Sequence, residues 1–378
     1  MKYYLIAGEA SGDLHGSNLM KGLLRADPQA EFRFWGGDKM AAVGGEGNLA
    51  MHYKKASFMG FTEVVSHLRT ILRQIARCKE DVAAYRPDVL ILIDYAGFNL
   101  RMAKFAKRAS IPTYYYIAPK VWAWKESRVK KLRRYVDRLF VIFPFETAYF
   151  RRHGIEAVYE GNPLMDAIDA RRAALEPADE FRANNGLDQR PIVSLLAGSR
   201  RSEIGYNFPF MVELAGRFPQ YQFVVAGVPW LDRSVYEPYM AGSPVRYVCD
   251  KTYELLAHSE AAVVTSGTAT LETALLGIPE MVCYRRDWPS MLIGKMFLKT
   301  PYVSLVNLVL ERECVRELLQ HRMTMSNASA ELRAILPGGA KHERMKADYA
   351  ELKRMIGDGG VSGRVAAKMV ELLKEDRK

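Results

Sequence analysis

The chain has 378 residues, which favours two domains over one, and its composition is that of a soluble globular protein. Its net charge of +11 indicates acidic partners, namely phosphorylated substrates, an anionic membrane surface or nucleic acid. The four cysteines lack the spacing of a zinc site or a disulfide framework, and no segment reaches the roughly 18 consecutive apolar residues of a membrane span. We expect a cytoplasmic protein, because the first residues show no signal-peptide pattern.

Apolar segments rich in strand-forming residues alternate with helical patterns, which predicts βαβ units and parallel sheets in both halves. Helices are expected at 14–25 and at 361–375. Polar sequence from 164 to 190 marks the boundary between two Rossmann-like domains, 1–164 and 165–340, and residues 341–378 are expected to pack as helices toward the first. The predicted strands are 3–7, 32–35, 89–94, 113–117, 139–143, 192–196, 222–226, 245–248, 261–265 and 280–283.

The turn at 8–13 follows the first predicted strand, at the edge where open α/β sheets bind ligands. Ser11 and Gly12 are small enough to let a ligand approach the backbone, and the start of the next helix offers unpaired N–H groups. Glu9 and Asp13 would repel a phosphate, so the hydroxyl groups of a sugar are the expected partner. A plain turn with Asp13 as the helix cap is the alternative.

A carboxylate, Asp94, ends the third predicted strand. Partial desolvation at this edge would raise its basicity, which makes it the leading candidate for a general base. Capping of the next helix is its alternative role. Asn99, just beyond, is a candidate substrate contact. Glu9, Asp13 and His15 are the next candidate bases, although a single histidine is often a structural hydrogen-bonding residue.

Two segments of the second half suit a diphosphate. Ser199, Arg200 and Arg201 follow the strand at 192–196, and guanidinium groups bind phosphate oxygens in pairs. An exposed basic turn is the alternative. The loop that contains Gly267, Thr268 and Ala269 comes between a strand and a helix whose first N–H groups favour an anion, while Glu272 lies one turn inside, within reach of a ribose. The alternative is a structural role, in which Thr268 caps the helix.

Residues 118–131, which include Trp122, mix aromatic and cationic side chains. The mixture is compatible with nucleic acid, but the chain has no recognisable nucleic-acid module, and the same mixture suits an anionic lipid headgroup. Residues 58–75 and 288–299 are apolar segments interrupted by basic residues. The first segment is either a helix that faces the core or a helix that docks on a membrane. We expect an anionic membrane surface, and no nucleic acid, as the macromolecular partner.

Taken in order, these motifs resemble the lipid-A-disaccharide synthase family. The resemblance is carried by the Gly-Glu-Ala-Ser-Gly-Asp turn at 8–13, Val-Trp-Ala-Trp at 121–124, Gly-Ser-Arg at 198–200, Gly-Thr-Ala with Leu-Glu at 267–272, and Tyr-Val-Ser-Leu with Asn-Leu at 302–308. It implies the GT-B fold, in which two Rossmann-like α/β domains face a cleft and C-terminal helices brace them.

The family's activity implies an inverting glycosyl transfer at the cytoplasmic face of the inner membrane of a Gram-negative bacterium. The donor would be UDP-2,3-diacylglucosamine, held by the domain 165–340, and the acceptor 2,3-diacylglucosamine 1-phosphate, held by 1–164. The products would be a β-1,6-linked disaccharide and UDP. We expect no cofactor, and no metal either, since the sequence has no metal-ligand cluster and arginine with a helix dipole can replace a cation; a homo-oligomer stays open.

The resemblance also assigns individual residues. Asp94 corresponds to the family's essential aspartate, Arg200 to its functional arginine, Asn307 to the asparagine of the Tyr-Val-Ser-Leu segment and Glu272 to a ribose-binding glutamate. Of these, Arg200, Asn307 and Glu272 are expected to bind substrate. The chain departs from the family at three places, where Ala96-Gly97, Asn162 and Val306 stand for Pro-Asp, histidine and proline, so no role is assigned there. The rival functions are a UDP-sugar epimerase, a peptidoglycan-type glycosyltransferase and, more remotely, a basic module that binds RNA or membrane.

Overall fold

The computed structural model describes residues 1–55, 68–122, 126–286 and 302–376. The chain divides into two compact units, Met1–Asp166 with Asp358–Lys378, and Ala167–Gly357. The predicted closing segment 341–378 is therefore split: its first part belongs to the second unit, and only the residues from Asp358 onward belong to the first.

The first unit contains a parallel sheet of seven strands in the order β3-β2-β1-β4-β5-β6-β7. The five strands predicted in this half are all present, whereas β3 and β7 are short, half-buried strands whose residues do not form an apolar segment. The strands are β1 Lys2–Ala7, β2 Glu31–Gly36, β3 Leu49–His52, β4 Val89–Ile93, β5 Thr113–Tyr116, β6 Arg138–Val141 and β7 Ala157–Tyr159.

Helices cover both faces of this sheet, which explains why its central strands read as continuous apolar segments. Alternate residues of β1 point to opposite faces: Tyr3 and Leu5 belong to one hydrophobic cluster, and Tyr4 and Ile6 to the other. The helices of this part of the chain are α1 Ala10–Ala26, α2 Asp38–Gly44, α3 Leu68–Tyr85, α4 Ala96–Arg108, α5 Val129–Tyr135 and α6 Pro144–Arg152, with 3-10 turns at Glu46–Asn48, Tyr53–Lys55 and Glu126–Arg128.

The second unit repeats this architecture with six parallel strands in the order β10-β9-β8-β11-β12-β13. The strands are β8 Ile192–Leu196, β9 Gln222–Gly227, β10 Arg246–Cys249, β11 Ser259–Val264, β12 Glu280–Tyr284 and β13 Glu317–Leu319. Among these described strands, β13 alone was not predicted. The remaining helices are α7 Leu164–Arg172, α8 Ala178–Asn184, α9 Arg201–Ala215, α10 Glu237–Met240, α11 Thr252–Ala257, α12 Thr268–Leu275, α13 Leu305–Leu310, α14 Met325–Ile335, α15 His342–Ile356 and α16 Val361–Glu375, with 3-10 turns at Arg233–Val235 and Gln320–Arg322.

Helix α16 returns to the first unit and packs on α1. Gly22 makes this contact close, because a Cβ atom at this position would lie 2.7 Å from the carbonyl oxygen of Ser362. Helix α1 itself begins at Ala10, four residues before the predicted start. Ser11, Gly12 and Asp13 consequently lie in its first turn and not in a loop.

The strand order of each sheet reverses once, between β1 and β4 in the first unit and between β8 and β11 in the second. Ligands of doubly wound sheets bind at the carboxyl ends of the strands beside such a reversal. The turns after these four strands contain most of the candidate site residues. The fold thus places the sequence motifs where this class of sheet binds ligands.

The predicted membrane-docking segment 288–299 lies outside the described residues, as do residues 58–67 of the segment 58–75 and Trp124 of the segment 118–131. The described end of the segment 58–75 forms the start of α3, where Leu72 is 53% exposed and Ile75 is buried. None of the helices in the described ranges is long and apolar enough to cross a membrane.

Candidate active site

Asp94 stands immediately after β4, in a turn with unusual backbone geometry. Asp94 and the following Tyr95 both have positive φ, at 43° and 48°, a region that non-glycine residues seldom adopt. Neighbouring groups hold this turn. The N–H of Asp94 donates to the carbonyl of Tyr116 at 3.0 Å, and its own carbonyl accepts from the Tyr115 hydroxyl at 2.5 Å and the Asn99 amide at 2.8 Å. The side chain of Asp94 is therefore set on a fixed piece of backbone.

The surroundings of Asp94 favour a base that is stronger than an ordinary aspartate. The carboxylate is accessible at the strand end, yet the protein encloses it on most sides, and this desolvation raises its pKa. The positive charges of Lys120 and Arg128 and the N–H of Tyr95 oppose the shift without cancelling it. Desolvation in turn lowers the pKa of Lys120, which Asp94 and Glu146 counteract. The site thus combines a carboxylate with two neighbouring cations.

The turn after β1 meets the turn after β4 through a glycine. The ring of Tyr95 lies directly on Gly8, where an added Cβ atom would be only 2.3 Å from the ring. Glu9 occupies the N-cap position of α1, but its side chain does not cap the helix. Its negative charge adds to the effect of burial in raising the pKa of Tyr95. The structure therefore brings Glu9 near the Asp94 turn.

Asp13 has a structural role in place of the predicted catalytic one. Its Oδ1 accepts hydrogen bonds from the N–H groups of Gly37 at 2.7 Å and Met40 at 3.1 Å, and Oδ2 accepts one from Lys39 at 3.1 Å. The carboxylate thus caps α2, a neighbouring helix, while Asp13 is only 3% exposed. Both oxygens accept backbone N–H groups inside the protein, so the carboxylate holds α2 in place.

Gly12 also contributes to packing, whereas its neighbour Ser11 is exposed. A Cβ atom on Gly12 would touch the Ala7 side chain at 3.2 Å, so the glycine brings the first turn of α1 close to β1. This contact replaces the predicted substrate contact of Gly12. Ser11 lies on the exposed side of the same turn, where a ligand could reach it.

Two further candidates in the first unit are enclosed by protein. Burial lowers the pKa of His15 to about 4, against the opposing influence of Asp166, so the imidazole is neutral near pH 7. Asn99 is fully buried, and its amide donates to the carbonyls of Ile93 and Asp94 at 3.2 and 2.8 Å. Asn99 therefore fixes the end of β4 instead of contacting substrate.

Trp122 is also a structural residue. The indole is 7% exposed and donates to Oε1 of Glu146 at 2.8 Å, while Oε2 of Glu146 accepts from the N–H groups of Ile142 and Phe143. Burial raises the pKa of Glu146 to about 7, although these hydrogen bonds favour the charged form. We did not predict Glu146 from the sequence; the signal is a glutamate at the third position of a helix that begins with Pro144, as in a capping box.

The second unit has a cavity of about 580 Å³ at the carboxyl ends of its central strands. Ligand sites of this size are common, since they span about 300–1,000 Å³. The cavity brings together residues that are far apart in sequence, including the predicted Ser199, Arg200, Gly267, Thr268, Ala269 and Glu272. Arg201, by contrast, is exposed at the start of α9 and does not line the cavity.

One wall of the cavity is the turn after β8. Gly198 has φ of 111°, and a Cβ atom there would lie 2.7 Å from the side chain of Glu203. Glu203 accepts the N–H of Ser199 at 3.1 Å and lies 3.6 Å from the guanidinium group of Arg200. Arg200 is 60% exposed and stands at the N-cap of α9. The turn thus presents an accessible guanidinium at a helix start, which suits an anion.

The facing wall is the loop between β11 and α12. Gly267 has φ of 148° at the N-cap of α12, so the loop requires glycine there, and Thr268 begins the helix with an exposed side chain. The hydroxyl of Ser266 donates to the carbonyl of Val303 at 3.5 Å. The loop is therefore attached to the segment that precedes α13, and its helix start is open toward the cavity.

Glu272 and Tyr253 form the inner part of this cavity. The Tyr253 hydroxyl donates to Oε1 of Glu272 at 2.7 Å. Burial raises the pKa of Glu272, and the hydrogen bond from Tyr253 opposes the shift. A carboxylate at the floor of a cavity with a basic wall suits the hydroxyl groups of a ribose next to a diphosphate.

Asn307 does not reach the cavity, contrary to the role that the resemblance assigned. Its amide donates to Val315 O at 2.8 Å and to Oε1 of Glu317 at 3.0 Å, and its carbonyl oxygen accepts the N–H groups of Cys314 and Val315. Glu317 also accepts the N–H groups of Val303 and Ser304. Asn307 therefore holds the backbone around α13, and contributes to the site through the position of that segment.

Several cavity residues were not predicted from the sequence. Trp230 is 63% exposed, and its indole donates to the carbonyl of Ser199 at 3.1 Å. Arg171, from α7, adds a second cavity arginine, 3.8 Å from Glu254. For these residues, the signal in the sequence is a tryptophan, Trp230, that closely follows the predicted strand 222–226. Within the described ranges, no cluster of three or more His, Cys, Asp or Glu residues is arranged to hold a metal ion.

Comparisons with known proteins agree with these motifs. A model of the lipid-A-disaccharide synthetase family matches residues 3–362. The chain is 37% identical to the lipid-A-disaccharide synthase of Geobacter metallireducens, over 99% of this chain and 97% of that protein. It is 38% identical to that of Myxococcus xanthus, over 99% and 98% of the two chains.

Solved structures of other enzymes share the fold. The UDP-GlcNAc 2-epimerase of Neisseria meningitidis, bound to UDP-GlcNAc, superposes with a TM-score of 0.71 at 11% identity, over 98% of this chain and all of that one (100%). The calicheamicin glycosyltransferase CalG4 superposes with a TM-score of 0.60 at 15% identity, over 99% and 98%. At these identities the likeness concerns the two-domain α/β fold alone.

Proposed function

This chain belongs to the lipid-A-disaccharide synthetase family, and we propose that it joins UDP-2,3-diacylglucosamine to 2,3-diacylglucosamine 1-phosphate. It is a glycosyltransferase with the GT-B type of two-domain α/β fold. The observation that carries the proposal is the cavity of the second unit, in which a basic turn, an open helix start and a carboxylate occur in one chamber of about 580 Å³. These three features match the diphosphate and the ribose of a UDP-sugar.

In the donor site, Arg200 and the first N–H groups of α12 bind the diphosphate, and Glu272 accepts hydrogen bonds from the ribose. Negative charge moves onto the diphosphate as the glycosidic bond breaks, so the same groups stabilise the transition state. Removal of one such contact typically costs about 100-fold or more in rate. Arg171 is a second guanidinium for this charge.

In the first unit, Asp94 acts as the general base. It takes the proton of the acceptor's 6-hydroxyl group while that oxygen attacks the anomeric carbon of the donor from the face opposite UDP. The bond to UDP breaks with its electron pair, and a single displacement converts the α-linked donor into a β-linked product. Lys120 and Arg128 place positive charge beside Asp94, which suits an acceptor that carries a phosphate. Glu9, near the same turn, and the exposed Ser11 orient the sugar.

The acylated substrates require the enzyme to work at a membrane surface, and we propose peripheral association with the inner membrane. The net charge of +11 favours anionic lipid headgroups. Exposed Leu72 on α3, flanked by the exposed Arg69 and Arg73, has the chemistry of an interfacial contact. No metal takes part in this scheme; activity that a chelator abolishes and magnesium restores would contradict it.

The role of Asp94 is tested with Asp94→Asn, an isosteric change that removes the base. We expect turnover, measured as UDP release with both acylated substrates at saturation, to fall by about 100-fold to 10,000-fold. Binding of UDP should stay unchanged, because the nucleotide groups lie in the other unit. Wild-type turnover in Asp94→Asn would show that another group accepts the proton.

A further inference from the structure

Tyr253 lies in the donor cavity but has no role in the scheme above. It is the second residue of α11, which follows β10, whereas Glu272 belongs to α12, which follows β11. The hydrogen bond of 2.7 Å between them joins two helices that both line the cavity. This bond fixes the position of the carboxylate relative to the cavity floor.

The bond leaves one carboxylate oxygen available. A carboxylate can accept several hydrogen bonds through its two oxygens. In the described part of the chain, Tyr253 is the side-chain donor to Glu272, and it bonds to Oε1. The other oxygen, Oε2, can then accept from a ligand, and its direction is set once Oε1 is held.

Tyr253 also helps to keep Glu272 charged. Burial raises the pKa of the Glu272 carboxyl, and the hydrogen bond from Tyr253 is the influence that lowers it. Burial raises the pKa of Tyr253, and the positive charge of Arg171 opposes this rise. The guanidinium group of Arg171 lies 3.8 Å from the carboxylate of Glu254. The other charged groups that line the cavity are Arg200, Glu203 and Asp250. Without the phenol, Glu272 would take up a proton at a higher pH.

We propose that Tyr253 is a positioning residue that aims Glu272 Oε2 at the ribose hydroxyl groups, and so makes the cavity selective for ribonucleotide over 2′-deoxyribonucleotide donors. This inference rests on the proposed donor site. A neutral or misdirected carboxyl would lose the charge-assisted hydrogen bonds to the diol, which are stronger than those between neutral groups. The phosphate contacts would stay the same, because Arg200 and α12 do not depend on Tyr253.

The test is calorimetric titration of the full-length protein with UDP and with 2′-deoxy-UDP. We expect the wild type to prefer UDP by about tenfold or more. Tyr253→Phe should bind 2′-deoxy-UDP as the wild type does but bind UDP more weakly, so that the ratio of the two affinities approaches one. Glu272→Gln should reduce the ratio as well. Tyr206→Phe, a change of an exposed tyrosine outside the cavity lining, serves as the matched control.

The pH dependence of this ratio separates positioning from a purely structural role. As the pH is lowered, Tyr253→Phe should lose any remaining preference for UDP at a higher pH than the wild type does, because the pKa of Glu272 is higher in the variant. An unchanged ratio in Tyr253→Phe, or equal losses for both nucleotides, would overturn the inference. If Tyr253→Phe does not fold, an unchanged ratio in Glu272→Gln would overturn it. A wild-type protein that binds neither nucleotide would instead refute the donor site.

Discussion

The contact between Gly8 and Tyr95 gives a sharp test of how the first unit positions its base. An alanine at position 8 would place its Cβ atom 2.3 Å from the Tyr95 ring. Carbon atoms in contact normally stay about 3.5–4.0 Å apart, so the ring or the backbone must shift by more than about 1 Å. Tyr95 is in the left-handed region and adjoins Asp94, so the shift reaches the base.

The size of the effect follows from these distances. Overpacking of this kind costs about 1–3 kcal/mol of stability, and a misplacement of about 1 Å at a catalytic group costs about 100-fold in rate. We therefore expect Gly8→Ala to lower kcat by about 100-fold and to leave the affinity for UDP unchanged, because the donor cavity lies in the second unit.

The assay is UDP release with both acylated substrates, together with urea unfolding and UDP titration. Gly97→Ala is the matched control, since a Cβ atom at Gly97 meets nothing within 4 Å and the residue lies in the first turn of α4, beside the same turn. The control should keep its activity and gain up to about 1 kcal/mol of stability. Equal activity of Gly8→Ala and Gly97→Ala would refute the reasoning.

Three further predictions follow from the same contacts. Arg200→Ala should weaken UDP binding by about tenfold or more, whereas Arg201→Ala should change it little, because only Arg200 lines the cavity; equal losses, measured by calorimetry, would contradict this. The folded pKa of Glu146, at about 7, lies above its ordinary 4.5, so its contribution to the unfolding free energy is fully present below about pH 4.5 and is lost as the pH rises through 7. Denaturant titrations at several pH values in this range should show that the unfolding free energies of the wild type and Glu146→Gln depend differently on pH. The same pH dependence in both proteins would refute the assignment. Leu72→Ser should reduce co-sedimentation with anionic vesicles without changing the unfolding midpoint, and a large loss of stability would instead indicate a core position.

The fold could be predicted from the sequence because most strands are buried on both faces. Ten segments of apolar, strand-forming residues correspond to ten of the thirteen strands in the part of the chain that the structure describes. The three others, Leu49–His52, Ala157–Tyr159 and Glu317–Leu319, are three or four residues long and half-buried for the most part. Strands of this length are too short to show a periodic pattern in the sequence. Their formation depends on tertiary contacts at the sheet edge.

The sequence motifs indicated those residues of the cavity lining that lie within a motif, as with Arg200, Thr268 and Glu272. The structural roles of polar residues whose side chains point into the protein were not predicted. Asp13 and Asn307 stand in motifs, yet their side chains hold backbone N–H and carbonyl groups of other segments. Sequence spacing cannot distinguish a carboxylate that binds a ligand from one that caps a distant helix, because the partner backbone is far away in the chain.

The identity and linkage of the lipid product decide whether the protein makes the proposed β-1,6-linked acylated disaccharide. The most direct test incubates the purified enzyme with UDP-2,3-diacylglucosamine and 2,3-diacylglucosamine 1-phosphate, and identifies the lipid product by mass spectrometry and the anomeric configuration by NMR. We expect one disaccharide 1-phosphate, with a β linkage, for each UDP released. A product with an α linkage, or UDP release without a disaccharide, would contradict it.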